Sequence, residues 1–402
     1  MKFIHFADSH LDGFRDKKLS LLGLNSFKYL IDFAIEKSVD FVVLSGDLFN
    51  TAIPRLDILK FVTFQFKRLQ EKNIPVYAIP GSHDFSPQGK SIFDVLEVAG
   101  LLINVMKGSV DDSGMLRLEW IVDKKTGVLF SGINGRKGML DKHLYHNLDH
   151  SSLQSKKGFK IFLFHISLSE LKPRELEMMN SDSVSILPKN CNYYAGGHVH
   201  IISRFNNEEY DNVIYPGPTF PNNFSELEKL GGGSFVFYDS SLEDPISIIK
   251  IPSKNVKLIS LDLSGKSASE ISEKLLDLVD DSFDDKIILL RLEGLLESGS
   301  FSDLDIDEFI RTCYDHGSFI VLRNSSKLRF RALDENTNFD GLDEDIESST
   351  IEDSLGKVFF EGDEKKVIED LISSLNISPL EGERKSVFLE RVIDSAKEVL
   401  EQ

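Results

Sequence analysis

The chain has 402 residues, 41% of them hydrophobic and 28% charged, with 65 acidic against 46 basic side chains and a formal net charge of −19. That length suits two or three globular domains, and no apolar run approaches the ~20 residues a bilayer crossing needs. The acidity speaks at first sight against a nucleic-acid partner, although nine carboxylates fall between Asp334 and Asp353, where no Lys or Arg stands.

The first stretch, Met1 to Ala7, reads as a strand rather than a secretion signal, because it lacks a long apolar core and a cleavage site. It ends in Asp8-Ser9-His10. A helix follows over about Ser20–Lys37, with Leu21, Leu22, Leu24, Phe27, Leu30, Ile31 and Ala34 forming its apolar stripe. Phe41–Leu44 is a run of apolar residues, as in a strand covered on both faces, and it stops at Ser45-Gly46-Asp47. Glycine permits a sharp turn at the strand end. Asp47 then sits on the sheet rim, where open α/β sheets bind ligands, or alternatively caps the next helix. Pro54 opens a helix to about Lys72, and Ile74–Ile79 is a strand ending in Gly81-Ser82-His83-Asp84. This alternation predicts a parallel sheet with right-handed crossovers.

Beyond Gly100 the pattern is richer in strands. Leu116–Val122 and Gly127–Ile133 read as a strand pair, followed by a helix around Met139–Leu148. Lys160–Phe164 is a buried strand ending in His165, and Asn192–Ala195 a short one ending in Gly196-Gly197-His198-Val199-His200. Ile201–Phe205, Asn212–Tyr215, Ser234–Tyr238 and Pro245–Ile251 read as antiparallel strands. Residues 253–332 alternate strand and helix as a smaller α/β or ferredoxin-like cap, with no catalytic constellation. Residues 333–358 form an acidic linker. Two amphipathic helices, about 364–375 and 384–400, close the chain.

Asp8, His10, Asp47, His83, Asp84, His165, His198 and His200 all follow predicted strands, and they include five of the ten histidines. Imidazole with carboxylate is a ligand set for Mn, Fe or Zn. A bridging carboxylate can hold two such ions ~3.5–4 Å apart, the arrangement used to displace phosphoesters. Each signal alone is weak, since a lone His at a strand end is more often a satisfied core or surface residue. Five strand ends in one order, with His198-x-His200 projecting to one side of an extended segment, point to a binuclear centre.

The order Asp8-x-His10, Gly46-Asp47-Leu48-Phe49, Gly81-x-His83-Asp84, His165 and Gly197-His198-x-His200 resembles the calcineurin-like metallophosphoesterases. Within them, Tyr215-Pro216-Gly217 followed by Ser225-Glu226 is similar to the SbcD-type double-strand-break repair nucleases, especially archaeal ones. The resemblance covers about residues 1–250. It implies an α/β fold, a two-sheet sandwich flanked by helices, as a nuclease domain over 1–252. It implies two Mn²⁺ ions (or Mg²⁺ or another divalent ion), one held by Asp8, His10, Asp47 and His200, the other by Asp47, Ser82, His165 and His198. His83 becomes the acid toward the leaving oxygen and Asp84 its orienting partner. Members normally carry Asn at the position of Ser82, so the second ion meets a shorter, weaker ligand here. Asn50 stands where members often carry Asp or His.

The implied activity is a cytoplasmic, archaeal Mn²⁺-dependent DNA nuclease, a 3′–5′ double-strand exonuclease and single-strand endonuclease acting on DNA ends. Its implied partners are an SbcC-type ABC ATPase bound through the C-terminal helices and a second copy of the chain bound through helices in the 54–98 region. The wide apolar arc of the helix carrying Phe61 and Phe64 fits that pairing. Arg15, Lys17, Lys18, Lys90, Arg136 and Lys137 are candidates for phosphate contacts. Two rival readings stand beside this one: a phosphodiesterase or phosphatase for small substrates, and a non-catalytic architectural subunit crippled at Ser82. Cys191 and Cys313, far apart in sequence, fit a reducing compartment.

Overall fold

The computed structural model describes residues 1–86, 91–136, 142–154, 156–172, 181–298 and 301–330, together with 367, 370, 371, 391–395 and 397. It divides into two units, Met1–Arg331 and Ala332–Gln402. The predicted linker and nearly all of the two terminal helices lie outside the described residues, as do Lys90 and Lys137.

In chain order the first part comprises β1 (Lys2–Phe6), α1 (Lys17–Glu36), β2 (Phe41–Ser45), α2 (Leu56–Glu71), β3 (Val76–Ile79), α3 (Ile92–Val98) and β4 (Ile103–Asn104). Next come β5 (Gly108–Val110), β6 (Leu116–Leu118), β7 (Ile121–Val122), β8 (Leu129–Gly132), α4 (Lys142–His146), α5 (His150–Gln154) and β9 (Lys160–His165). Then follow β10 (Tyr193–Gly197), β11 (Ile202–Phe205), β12 (Val213–Pro216), α6 (Phe224–Leu230), β13 (Ser234–Asp239) and β14 (Ile246–Lys250). The last described stretch holds β15 (Val256–Asp262), α7 (Ala268–Asp277), β16 (Ile287–Leu296), α8 (Ile306–Asp315) and β17 (Ile320–Phe330).

Two six-stranded sheets, in the orders β14-β13-β1-β2-β3-β4 and β11-β12-β10-β9-β8-β7, pack face to face. Phe3, Phe41, Val43, Tyr77 and Ile79 of the first meet Phe130, Ile161, Leu163, Tyr193 and Ile214 of the second. The alternate residues Ile4, Phe6, Val42 and Leu44 face outward onto Phe27, Leu30 and Ile31 of α1 and Val62 and Phe66 of α2. Phe162, Phe164 and Tyr194 pack on the opposite outer layer with Tyr145 and Leu187. Burial on both faces explains the uninterrupted apolar runs of the central strands. The two-sheet sandwich flanked by helices is the architecture expected.

Four local expectations needed correction. Leu116–Val122 is two strands in different sheets, since β6 pairs with β5 and β7 with β8. The 212–215 strand is antiparallel to β11 but parallel to β10, so it extends the parallel centre of its sheet. α1 begins earlier, at Lys17, because the Asp16 carboxylate accepts from Lys18 N and Leu19 N and caps it. α2 begins at Leu56, two residues past Pro54.

The third sheet, β15-β16-β17, is wholly parallel, with α7 and α8 as its crossovers, and so is not ferredoxin-like. Ile288, Leu290 and Leu292 pack under Ile271, Leu275 and Phe309 on one face. Ile287, Leu289 and Ile320 meet Leu19 and Leu22 of α1 and Leu227 of α6 on the other. No helix among the described residues is long and apolar enough to cross a membrane.

Candidate metal centre

Parallel pairing brings the carboxyl ends of β1, β2 and β3 to one rim, and β9 and β10 end on the same rim of the facing sheet. The β1–β2 ladder runs on past both strands: Asp8 N donates to Gly46 O, His10 N to Asp47 O and Leu11 N to Leu48 O at 3.0–3.1 Å. The rim loops after β1, β2 and β10 turn through left-handed backbone, with φ of 53° at Asp8, 39° at His10, 52° at Asp47 and 55° at His200. Asp and His tolerate that region better than branched residues do. Gly46 has no such alternative: φ is +90°, and a Cβ there would lie 2.3 Å from His165 Nδ1.

Three overlapping groups result, Asp8/His10/His200, His10/Asp47/His83 and Asp47/His165/His198, each with its ligand atoms within 4.8 Å of one another. Asp47 is common to two of them. Its Oδ2 lies 3.1 Å from His165 Nε2 and 3.5 Å from His10 Nε2, and Oδ1 accepts from His83 N at 2.7 Å. Asp8 accepts from His198 N at 2.9 and 3.1 Å. Ser82 Oγ stands at the edge, 3.5 Å from Asp47 Oδ2.

The tautomers follow from the outer nitrogens. His165 Nδ1 donates to Ser45 O at 2.8 Å, His200 Nδ1 to Glu226 Oε1 at 3.0 Å and His83 Nδ1 to Asn50 O at 2.9 Å. Each neutral ring therefore turns an Nε2 lone pair inward. His165 Nε2 then faces a carboxylate oxygen, and His200 Nε2 faces His10 Nε2 at 2.9 Å. Acceptors held this close repel unless a cation lies between them. That donor chemistry fits bound divalent metal, with the His165 and His200 rings braced from behind as metal-ligating histidines are, while the buried His10 Nδ1 has no hydrogen-bond partner among the described residues.

The protonation equilibria of the metal-free chain carry the same signature. Burial opposes charge on His165, yet the Asp47 carboxylate beside it outweighs that and raises it to about 10. Burial likewise opposes charge on His200, but Asp8 and Glu226 raise it to about 9. Burial would also raise Asp47, but the His165 charge, its hydrogen bond and His10 hold it far below the usual carboxylate range. His10 and His198, with weaker support, are pushed down by burial to about 3. Burial raises Asp8 and Asp84 to about 6, Asp47 adding to the shift in both. Protons stand in for cations where Asp47 and Asp8 concentrate negative charge.

All nine residues singled out from sequence lie in or against this cluster, but one expected contact differs. Asp84 does not hold the His83 ring. Its oxygens accept from Leu48 N, Phe49 N and Gly81 N at 2.9–3.1 Å, bracing the loop behind Asp47, while the Asn50 carbonyl holds His83. A main-chain carbonyl does this whichever side chain position 50 carries. Glu226 is the residue whose contact sequence reasoning missed: besides His200 it accepts from Asn222 N at 2.8 Å and Asn223 Nδ2 at 2.6 Å. Its sequence signal was Asn223 three positions earlier, an N-cap whose Oδ1 accepts from Glu226 N. Lys18 is not free for phosphate, because Nζ donates to Phe319 O at 2.7 Å.

Comparison with known proteins closes the case for the family. The model of the calcineurin-like phosphoesterases matches residues 1–201, a span that takes in every strand end described above. The chain belongs to that family. Among curated relatives, the DNA double-strand break repair protein Mre11 of Methanococcus maripaludis is 31% identical over 62% of this chain and 66% of its own. The protein of that name from Archaeoglobus fulgidus is 29% identical over 57% of this chain and 52% of its own. The one from Thermoplasma acidophilum is 28% identical over 72% and 76%. The chain thus spans about half to two thirds of the length of the Methanococcus maripaludis and Archaeoglobus fulgidus proteins.

Proposed function

We propose that this phosphoesterase is a metal-dependent nuclease acting on DNA ends. The observation that carries the reading is the convergence of His165 and His10 Nε2 on Asp47 Oδ2, with the far nitrogens of His165, His200 and His83 tied back to a carbonyl or carboxylate. Asp8, His10, Asp47 and His200 would hold one ion, and Asp47, His165, His198 and Ser82 the other. Such a pair, Mn²⁺ in this reading, supplies Lewis acidity toward a phosphoryl oxygen and lowers the pKa of bound water. The chain's own groups do the rest. His83, half-buried with Nδ1 on the Asn50 carbonyl, presents Nε2 to the site and as imidazolium donates its proton to the leaving oxygen. Asp84 fixes the backbone from which Asp47 projects. The Mre11 relatives, DNA double-strand break repair proteins by name, support DNA as the polymer.

The test is cleavage of linear duplex and single-stranded DNA by the purified chain with Mn²⁺, with His83→Ala beside it. Loss of cleavage in the variant with metal content unchanged supports the reading. Hydrolysis confined to small phosphodiesters overturns the DNA assignment, and an inert, metal-free wild type overturns the centre itself. Metal counted per chain addresses Ser82: Ser82→Asn is expected to tighten the second ion if the serine weakens it.

For partners, the reading includes self-association through α2 and α3, where Leu56, Phe64 and Val98 are 81, 60 and 90% exposed. Sedimentation of the chain with and without Phe64→Glu/Val98→Glu tests it. An SbcC-type ATPase is the proposed partner of the terminal segment, and the domain boundaries at about 252 and 332 belong to the same reading.

A further inference from the structure

A cavity outside the metal centre lies at the far end of α6. It has a volume of about 700 Å³ and is walled by the Gly231–Gly233 turn and by Lys250, Ser253, Lys254, Lys257 and Lys286. Four lysines and no carboxylate line it, in a chain whose 65 acidic residues outnumber 46 basic ones. Asp285 and Asp280 hold Lys254 and Lys257 from outside the cavity, at 2.5 and 3.4 Å. Lys250 and Lys286 have no ion-pair partner among the described residues. Two further features suit an anion. The Ser253 hydroxyl is buried without a hydrogen-bond partner, and the amides of Gly232 and Gly233 make no backbone hydrogen bond. A buried hydroxyl left so is uncommon.

The position of the cavity names the anion. β13 runs antiparallel to β1, with Val236 opposite His5, so Gly231–Gly233 lie at the rim where β1 ends, with Pro218, bridged to Ala7 and accepting from Ser234 N, between them. α6 joins the two places, with Glu226 on His200 in its first turn and Gly231 as its C-cap at the cavity. At 1.5 Å per residue, a helix of this length spans roughly 10 Å, about three phosphates along one strand of B-form DNA.

We propose that this cavity holds the phosphodiester backbone of a nucleic-acid strand whose scissile bond lies at the metal centre, an inference that rests on the nuclease reading. Lys250 and Lys286 supply the unneutralised charge, and the Ser253 hydroxyl and the glycine amides donate to phosphate oxygens. It gives an otherwise acidic chain a local means of holding a polyanion.

The experiment measures binding of a fluorescein-labelled single-stranded oligonucleotide by anisotropy, in EDTA so that no cleavage intervenes, across a series of salt concentrations. Lys250→Ala/Lys286→Ala is expected to weaken binding roughly tenfold and to flatten the log–log salt slope by about 1.4, the value for two lost phosphate contacts on a single strand. Lys250→Arg/Lys286→Arg is expected to keep both, and circular dichroism of each variant checks the fold. Equal affinity and slope in wild type and the alanine variant overturn the proposal. So does protection of the wild type alone by inorganic phosphate with strand binding unaltered, which would make the cavity a site for a free anion. Failure of the nuclease reading shows separately, as absent Mn²⁺-dependent cleavage by a wild type that still binds the strand.

Discussion

The rim of the two large sheets and the sheet of β15 to β17 are built by the same device, parallel strands joined by helical crossovers, yet they use their strand ends in opposite ways. At the first rim, buried Asp and His side chains crowd together through left-handed backbone. At the second, Asp262 turns its carboxylate onto Ser264 and the long β16–β17 ladder continues with one irregularity. Hydrophobic packing suffices to explain the third sheet: Ile288, Leu290, Leu292 and Phe309 are fully buried, and the Cys313 thiol among them, pushed up to about 12 by burial, stays neutral. The metal rim opposes packing, since burying uncompensated charge is costly. Where a fold tolerates such a cost at one rim only, that rim carries the chemistry.

Substitutions that separate stability from activity test this contrast. The largest expected effect is at Asp47. Asp47→Asn keeps an acceptor for His83 N but removes the charge between the two ligand groups, and Mn²⁺-dependent phosphodiester hydrolysis is expected to fall at least about a thousandfold. Urea denaturation of the metal-free chain is expected to show a loss of stability as well, because the buried Asp47–His165 pair is broken, so hydrolysis is compared per folded molecule. The converse holds in the third sheet. Phe309→Ala empties a fully buried position and is expected to cost about 3–5 kcal/mol of stability, while metal affinity per folded molecule, read by calorimetry, stays as in wild type. A Phe309 variant that folds normally but loses metal would break the contrast.

A smaller effect distinguishes His5, buried between the sheets beside Tyr193, with Nδ1 2.9 Å from its hydroxyl. Burial lowers its pKa to about 3, from 6.5. The unfolded chain therefore takes up a proton below 6.5 that the native chain refuses, and stability falls as pH drops through the window from 6.5 toward 3. In urea titrations in EDTA, wild type is expected to lose about 2 kcal/mol more than His5→Leu between pH 7 and 5. Equal losses would show that His5 does not titrate this way. The smallest effect is at Glu226. Glu226→Gln replaces the carboxylate behind His200 and is expected to weaken metal binding about tenfold, with the fold retained.

Much of the site was legible because its residues are anchored to strand ends, and strand ends are marked by apolar runs that stop abruptly. Asp8, Asp47, His165 and His198 could be named that way. The supporting contacts could not. Asn50 acts through a main-chain carbonyl, which every residue possesses, and Asp84 serves amides of a loop more than thirty positions away. The short edge strands β4, β5 and β7 carry too few residues to show a period, and β12 was given the wrong direction relative to its inner neighbour.

The amino-acid order by itself determined which segments are buried strands, the chemical identity of the candidate ligand set and the family, because burial on two faces and a cluster of metal-binding side-chain types both leave local marks. Only the tertiary structure decided which Nε2 atoms face which carboxylate, that Glu226 stands behind His200, and that Lys250 and Lys286 share a cavity with a glycine turn. Those facts depend on strand order and register between segments far apart in the chain. No local pattern encodes them, since the pairing of distant strands is set by the packing of the whole core.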